Sequence, residues 1–187
     1  RPYGGGPGMV MKYEPLAAAI QAARDEVPEG SPVICLSPQG RVFDQAAAER
    51  LASLPGLILL AGRYEGIDER VCDDLIDYEI STGDYVLTGG ELAAMVIVDA
   101  VSRLIPGVLG AEGAADQDSY ATGLLEGPHY TRPGRFRDWP VPDVLRSGLQ
   151  ANIKRWHRQQ ALRRTWKRRP DLLLTADLSE EDKQFLA

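Results

Sequence analysis

Three glycine-bearing loops carry the groups best placed to bind a small molecule. The loops at residues 37–40 (SPQG) and 62–66 (GRYEG) each follow a short apolar run. The third, Gly89-Gly90, separates an extended stretch at 84–87 from a long apolar helix pattern. Glycine lets a ligand approach the backbone closely, and a helix start offers free N–H groups. We therefore expect the three loops to meet around one ligand.

Basic charge is concentrated in one segment of the chain. Residues 1–131 hold 8 basic and 20 acidic residues, whereas residues 132–170 hold 12 basic and 2 acidic residues. Trp156, His157 and Trp166 lie within the basic segment. This asymmetry favours contact with nucleic acid, and the ordinary alternative is a solvated helix face.

Two aspartates, Asp116 and Asp118, lie in a loop-rich stretch at residues 106–134. A connection of this length inside a compact domain is unusual unless it is functional or mobile. For either carboxylate, the ordinary alternative to a catalytic role is a solvated loop position.

Signatures of several common enzyme classes are missing from the sequence. His129 and His157 have no His or Cys partner at metal-ligand spacing, so we expect no catalytic zinc site and name no metal ligand. Neither a G-x-S-x-G nucleophile elbow nor a Walker-type phosphate loop occurs. A glycine-lined backbone cradle suits a group-transfer enzyme whose electrophile is carried by a bound cofactor.

Strand and helix patterns alternate through the first hundred residues, which is typical of an α/β domain with a parallel sheet. Ligands in such sheets bind beyond the carboxyl ends of the strands, where the three loops would lie. Buried strands are predicted at 33–36 and 57–61, an extended piece at 84–87, and helices at 14–27, 44–54, 67–76, 91–105, 150–169 and 177–186. The helix at 91–105 is apolar around most of its circumference. We favour a dimer interface for it, with a central core helix as the alternative.

A chain of 187 residues, 44% of them hydrophobic, suits one domain with a small appendage. No apolar run is long enough to cross a bilayer, and no signal peptide is visible. Cys35 and Cys72 lack CxxC spacing, so we expect a reduced, cytoplasmic protein with Cys35 as a buried thiol. The chain begins at Arg1 without a methionine, and we expect an N-terminal segment to be missing.

Seven motifs together resemble a known family. They are, in order, RPYGGGPGM, LSPQGR, GRYEGIDER, GDYVLTGGE, VSRLIPGVLG, LLEGPHYTRP and RRTWKRRPDLL. They resemble the bacterial tRNA (guanine-N1)-methyltransferases of the TrmD type, members of the SPOUT methyltransferases, over nearly the whole chain. The resemblance implies an α/β fold in which a SPOUT-type parallel sheet carries a C-terminal deep trefoil knot, plus a small helical C-terminal domain. The implied domains are a knotted methyltransferase domain at 1–110, an interdomain loop with the catalytic aspartate at 111–144, and a helical tRNA-binding domain at 145–187.

The resemblance also implies a function and its site residues. The implied reaction is S-adenosylmethionine-dependent methylation of N1 of guanosine at tRNA position 37, next to the anticodon, by a homodimer with a shared active site. The implied cofactor pocket comprises Leu36, Ser37, Pro38, Gly62, Tyr64, Glu65, Ser81, Thr82, Gly83, Asp84, Tyr85, Val86, Leu87, Gly89 and Gly90. The implied contacts to the tRNA anticodon stem-loop are Pro7, Gly8, Arg63, Lys154, Arg155, Arg158, Arg163, Arg164, Lys167, Arg168 and Arg169.

Guanine N1 carries a proton at neutral pH, so a base must remove it as the methyl group arrives. The resemblance assigns this role to Asp118, with Asp116 as the alternative. Arg103 would stabilise the charge that develops on guanine O6; its alternative role is a structural ion pair. Glu65 would position the exocyclic amine or oppose the sulfonium charge. Assistance by Mg²⁺ stays open.

Two other functions are kept as alternatives. One is a different SPOUT RNA methyltransferase, such as a ribose 2′-O-methyltransferase, which needs no base near guanine N1. The other is a non-catalytic RNA-binding module, which would not bind the cofactor.

Overall fold

The structure is a computed structural model that describes residues 2–110, 113 and 115–187. The chain divides into two compact units, Arg1–Gly110 and Ala111–Ala187. None of the described helices is long and apolar enough to cross a membrane.

The first unit is built on a parallel sheet of three strands in the order β2-β1-β3. The strands are β1 (Val33–Val42), β2 (Ile58–Ala61) and β3 (Tyr78–Ser81). The helices are α1 (Tyr13–Glu26), α2 (Gln45–Ala52), α3 (Glu69–Leu75) and α4 (Glu91–Ser102). This arrangement confirms the parallel α/β architecture that the alternating patterns predict.

The central strand β1 is buried on both faces of the sheet. Ile34 and Leu36 belong to an apolar cluster with residues of α2 and α4, whereas Val33 belongs to a second cluster with residues of α1 and α3. Successive residues of a strand point to opposite faces, so α2 and α4 cover one face and α1 and α3 the other. This double burial explains why the strand is a continuous apolar run in the sequence.

The predicted third strand was wrong. An extended piece was expected at 84–87, but the third strand is Tyr78–Ser81, and 84–87 lies in an exposed loop. Tyr78 is exposed and Glu79 is only half-buried, so β3 lacks the continuous apolar run that marks β1 and β2. Four helices are each three residues shorter than predicted: α2, α3 and α4 in this unit, and the last helix of the chain, Glu180–Leu186. α3 begins after its cap at Asp68, and α4 ends at Ser102.

β1 continues beyond its predicted end at Leu36, with a break in its register. Leu36 and Arg41 both pair with Ile80 of β3, so residues 37–40 bulge out of the ladder. Gly40 lies directly against β3, since a Cβ built on it would be 2.4 Å from the carbonyl carbon of Glu79. Bulges redirect the chain beside functional sites. Here the bulge contains the SPQG loop.

α4 has one buried face and one exposed face in this chain. Ala93, Ile97 and Val101 are buried, whereas Leu92 and Met95 are 61% and 66% exposed. The alternative of a central core helix is therefore wrong for this chain. An exposed apolar face on a helix is typical of an interaction surface.

Most of the regular secondary structure in the second unit is helical, and it includes helices at the two places where the sequence predicts them, near 150–169 and 177–186. The described residues between α4 and the first strand of this unit form turns and bends up to residue 124, followed by irregular chain at 125–131. Its elements are β4 (Arg135–Phe136), β5 (Trp139–Pro140), α5 (Asp143–Arg146), α6 (Gln150–Arg168), a 3-10 helix (Pro170–Leu174) and α7 (Glu180–Leu186). Leu162 and Thr165 of α6 are fully buried.

An ion pair fixes α7 to α6. Asp182 completes the capping box with Ser179 that the sequence predicts. Its carboxylate accepts hydrogen bonds from the Arg158 guanidinium at 2.7 Å and from the Ser179 N–H at 3.0 Å. The Arg158 guanidinium, together with the Ser179 bonds, holds the pKa of Asp182 below its usual range although burial opposes the shift.

We expect Gly40→Ala to destabilise the protein by about 1–3 kcal/mol, because the added methyl group would meet backbone atoms of β3 that have no room to move. Thermal denaturation measures the effect. Gly110→Ala is the matched control, since a Cβ there has no atom within 4 Å. Equal melting temperatures for the two variants would contradict the close approach of Gly40 to β3.

We expect Asp182→Asn to cost roughly 1–3 kcal/mol at pH 7, because it leaves the Arg158 guanidinium without its charged acceptor. The folded-state pKa of Asp182 is depressed, so its contribution is present above the unfolded carboxyl pKa and is lost as pH falls through the folded value. The difference in melting temperature between wild type and Asp182→Asn should therefore shrink below about pH 4. Glu180→Gln, at an exposed pair on α7, is the control. A pH-independent difference would refute the linkage.

Candidate functional site

The three glycine loops line one cavity of about 440 Å³ in the first unit. Its lining includes every predicted cofactor-pocket residue except Asp84: Leu36, Ser37, Pro38, Gly62, Tyr64, Glu65, Ser81, Thr82, Gly83, Tyr85, Val86, Leu87, Gly89 and Gly90. Its volume falls in the range of small-molecule sites, about 300–1,000 Å³. The structure thus brings the predicted residues together, while their binding role stays a prediction.

One backbone hydrogen bond joins the second loop to the third. The N–H of Gly90 donates to the carbonyl of Gly62 at 2.9 Å. A Cβ built on Gly90 would lie 2.8 Å from the Cα of Ala61, so only glycine permits this approach. α4 begins at the next residue, and its start is thereby held beside the end of β2.

An ion pair lies beside this junction. The Arg63 Nε donates to Glu91 Oε1 at 2.7 Å, with both side chains about half exposed. A hydrogen bond from its own backbone N–H, followed by the Arg63 guanidinium, lowers the pKa of Glu91. Arg63, a predicted substrate contact, therefore has a carboxylate partner within its own chain.

The loop after β3 is closed by its own side chains. Ser81 is buried, and its Oγ accepts a hydrogen bond from the Gly83 N–H at 3.1 Å. The Tyr85 hydroxyl donates to Thr82 Oγ1 at 3.2 Å, which places its ring against Gly83. Val86 is 84% exposed. An apolar side chain held in solvent beside a cavity is available to contact a ligand.

The GRYEG loop contacts the N-terminal glycine-rich loop. The Glu65 N–H donates to the Met9 carbonyl at 3.0 Å. A Cβ built on Gly8 would be 2.6 Å from Glu65 Oε1, so the Glu65 side chain lies across Gly8. Pro7, the preceding residue, is exposed. The structure therefore places Glu65 beside the loop predicted to hold the substrate base.

Of the two cysteines that line the cavity, Cys35 is a buried thiol, as predicted, and Cys72 is half-buried. Burial, reinforced by the charges of Cys72 and Glu79, raises the pKa of Cys35 to about 12. At neutral pH it is protonated and is not a nucleophile. Among the described residues, no group of three or more His, Cys, Asp or Glu side chains could hold a metal ion.

Arg103 does not line the cavity. It follows the last residue of α4, and its N–H donates to the Asp99 carbonyl at 3.3 Å. Gly90 precedes the first residue of the same helix. Since α4 has 12 residues, its ends lie about 18 Å apart. Within one chain, the predicted O6 stabiliser is therefore distant from the Gly90 side of the cavity.

Both candidate bases lie in the second unit. Asp118 is half-buried and Asp116 is exposed. The Asp118 N–H donates to the Ala115 carbonyl at 3.3 Å, and its own carbonyl accepts from the Ala121 N–H at 3.2 Å. The Asp118 backbone is thus held in a turn.

Most arginines that were predicted to contact phosphate have partners inside the second unit. The ion pairs are Arg155 with Glu181 at 2.8 Å, Arg158 with Asp182 at 2.7 Å and Arg169 with Asp171 at 2.6 Å. Arg163 lies over the Phe185 ring, and Arg164 donates to backbone carbonyls. Lys154, Lys167 and Arg168 are exposed and form no ion pair or side-chain hydrogen bond with another described residue.

The β4–β5 hairpin presents aromatic and basic side chains that the sequence analysis did not single out. Phe136 and Trp139 are 64% and 79% exposed. The Arg137 guanidinium lies 5.4 Å from the centroid of the Phe136 ring. Exposed rings beside arginine suit stacking on unpaired bases. The interleaved run RFRDW is the signal that could have indicated this surface.

Comparisons with known proteins identify the family. The family model described as tRNA (Guanine-1)-methyltransferase TrmD matches residues 1–175. Three relatives share the name tRNA (guanine-N(1)-)-methyltransferase. The relative from Hahella chejuensis is 59% identical over 186 residues, spanning 100% of this chain and 72% of the relative. The relative from Moorella thermoacetica is 60% identical over 189 residues, spanning 99% and 74%. The relative from Pasteurella multocida is 58% identical over 186 residues, spanning 100% and 76%. The chain belongs to the tRNA (guanine-1)-methyltransferase TrmD family.

Proposed function

We propose that this protein methylates N1 of guanosine at position 37 of tRNA, with S-adenosylmethionine as the methyl donor. The observation that carries the proposal is the convergence of three loops on one cavity in a chain whose relatives are tRNA (guanine-N(1)-)-methyltransferases. The cavity fits a cofactor of this kind because glycines line it and apolar side chains such as Leu87 border it. When bound, the cofactor supplies an electrophilic methyl group.

The residues of the chain would then manage the proton and the developing charge. Asp118 accepts the proton of guanine N1, since a carboxylate within hydrogen-bond reach is a competent base. Arg103 stabilises the negative charge on guanine O6 with a permanent cation. Glu65, beside Gly8, orients the exocyclic amine or opposes the sulfonium charge. The half-burial of Asp118, against the exposure of Asp116, supports this choice of base.

A homodimer with a shared site accounts for two features of the first unit. α4 exposes Leu92, Met95 and neighbouring apolar side chains that a second copy would cover. Arg103 lies at the end of α4 away from Gly90, so a second copy would have to supply it to the cavity. We also propose that this fold contains a deep trefoil knot and that its domains are divided at residues 110 and 144.

The tRNA anticodon stem-loop is bound by the cationic side chains of α6 that have no partner among the described residues. Lys154, Lys167 and Arg168 extend into solvent, whereas Arg155, Arg158 and Arg169 are engaged in ion pairs. Contacts to phosphate position the RNA and carry no sequence information. The base itself must leave its stack to reach the cavity.

We expect labelled methyl groups from S-adenosylmethionine to enter a tRNA transcript that has guanosine at position 37. The same transcript with adenosine at that position should remain unlabelled, because adenine has an amino group in place of the O6 that Arg103 stabilises and lacks the 2-amino group that Glu65 orients. Equal labelling of both transcripts would refute the proposed target.

We expect Asp118→Asn to lower the rate of methyl transfer by at least about 10²-fold, because an amide cannot accept the N1 proton. Cofactor binding, measured by calorimetry, should be unchanged. Asp116→Asn is the matched control and should keep most of the activity. Full activity of Asp118→Asn would contradict the assignment and favour ribose 2′-O methylation.

We expect the triple variant Lys154→Gln, Lys167→Gln and Arg168→Gln to bind tRNA more weakly and with a flatter salt dependence. Each lost phosphate contact reduces the slope of log affinity against log salt by roughly 0.7–0.9. Arg50→Gln, an exposed cation of α2, is the single-charge control. An unchanged slope in the triple variant would remove these three side chains from the tRNA contact.

A further inference from the structure

The segment that carries Asp118 closes on itself by hydrogen bonds. The Glu126 N–H donates to Ser119 Oγ at 3.0 Å. The Tyr120 N–H donates to the Leu124 carbonyl at 2.7 Å. These bonds connect the residues directly after Asp118 to residues 124–126. The placement of Asp118 therefore depends on what holds residues 124–126.

Helix α6 holds those residues through two side chains, Thr165 and Arg164. The Leu125 N–H donates to Thr165 Oγ1 at 2.9 Å, and the same hydroxyl donates to the Ala161 carbonyl at 2.8 Å. The Arg164 Nη1 donates to the carbonyl of Glu126 at 2.9 Å and to that of Gly127 at 3.0 Å. Backbone groups of three consecutive residues, 125–127, are thus bonded to two adjacent residues of one helix.

Packing reinforces the attachment. Leu124 is 1% exposed and Thr165 is fully buried. A Cβ built on Gly127 would lie 3.3 Å from the His157 carbonyl oxygen, so the segment runs directly against α6. A segment packed this closely transmits the position of the helix to the turn that it supports.

Thr165 is not the expected choice for its helix position. Threonine is a poor helix former, and a buried hydroxyl costs free energy unless it is hydrogen-bonded. Valine would fill the same volume. Arg164 belongs to a strongly basic helix, yet its guanidinium is directed to backbone carbonyls of the same unit. Both side chains are explained by the peptide groups that they bind.

We propose that Thr165 and Arg164 are positioning residues for Asp118, which they hold through the bonds of residues 119–127. The inference rests on the proposed role of Asp118 as the base. Displacing a reacting group by about 1 Å lowers a rate by roughly 10²-fold. Because α6 also presents Lys154, Lys167 and Arg168, one helix would both grip the tRNA and fix the base that acts on it.

The test compares Thr165→Val with Thr165→Ser in the full-length protein. We expect Thr165→Val to lower kcat about 10- to 100-fold, with KM for S-adenosylmethionine and Kd for tRNA changed less than about threefold. Thr165→Ser keeps the hydroxyl and should retain kcat within about threefold. Thr175→Val makes the same chemical change at an exposed position and should match wild type. If Thr165 mattered only for folding, Thr165→Val would weaken the binding of S-adenosylmethionine and tRNA as well as lower kcat.

Arg164→Gln supplies an independent test, which can be carried out even if Thr165→Val does not fold. A positioning role predicts a lower kcat at saturating tRNA with an unchanged salt slope of tRNA binding. If Arg164 instead contacts a phosphate, the variant should keep kcat. Its log affinity for tRNA should then fall less steeply with log salt, by the amount expected for about one lost phosphate contact.

The proposal is overturned if folded Thr165→Val keeps kcat within twofold of wild type, or if Arg164→Gln changes only the salt slope. Failure of the proposed function is a separate result. In that case the wild-type protein itself transfers no methyl group to tRNA, or Asp118→Asn remains fully active.

Discussion

The contact between Gly90 and the end of β2 is the constraint on which the first unit depends. The Gly90 N–H donates to the Gly62 carbonyl, and the backbone there approaches Ala61 more closely than any side chain would allow. This contact joins two of the three cavity loops and fixes the residue at which α4 begins. The cavity and the exposed apolar face of α4 are therefore set by one junction. A change at Gly90 would alter the cofactor pocket and the proposed subunit interface together.

The first cavity loop, SPQG at residues 37–40, is set by a different close contact between backbones. The bulge at residues 37–40 exists because Leu36 and Arg41 share Ile80 as their partner, with Gly40 against β3. In both places the absence of a side chain on glycine allows two backbone segments to contact each other directly. The result is a site shaped mainly by main-chain groups, which suits a cofactor whose chemistry is its own.

The sequence predicts the strands and loops of the first unit where the signal is a continuous apolar run, as at Val33–Leu36. It fails at β3, because Tyr78 and Glu79 interrupt the apolar run that marks β1 and β2. The residues that the resemblance assigns to the cofactor pocket line one cavity, with the exception of Asp84, and their binding role stays a prediction.

The sequence does not distinguish arginines with internal partners from those in solvent. Arg158 and Arg168 are both arginines in the same basic segment, and nothing in the local sequence separates them. In the fold, Asp182 forms an ion pair with Arg158. Thr165 was missed for the same reason, because its partner Leu125 lies 40 residues away in the chain. Long-range partners of this kind are set by tertiary packing, which local sequence patterns do not report.

The most direct measurement is the position of the transferred methyl group. Full-length protein would be incubated with isotopically labelled S-adenosylmethionine and a tRNA that carries guanosine at position 37, followed by nuclease digestion and mass spectrometry of the nucleosides. Our account predicts that the label resides on N1 of that guanosine alone. Label on a ribose 2′-oxygen, or on another atom of the base, would contradict it.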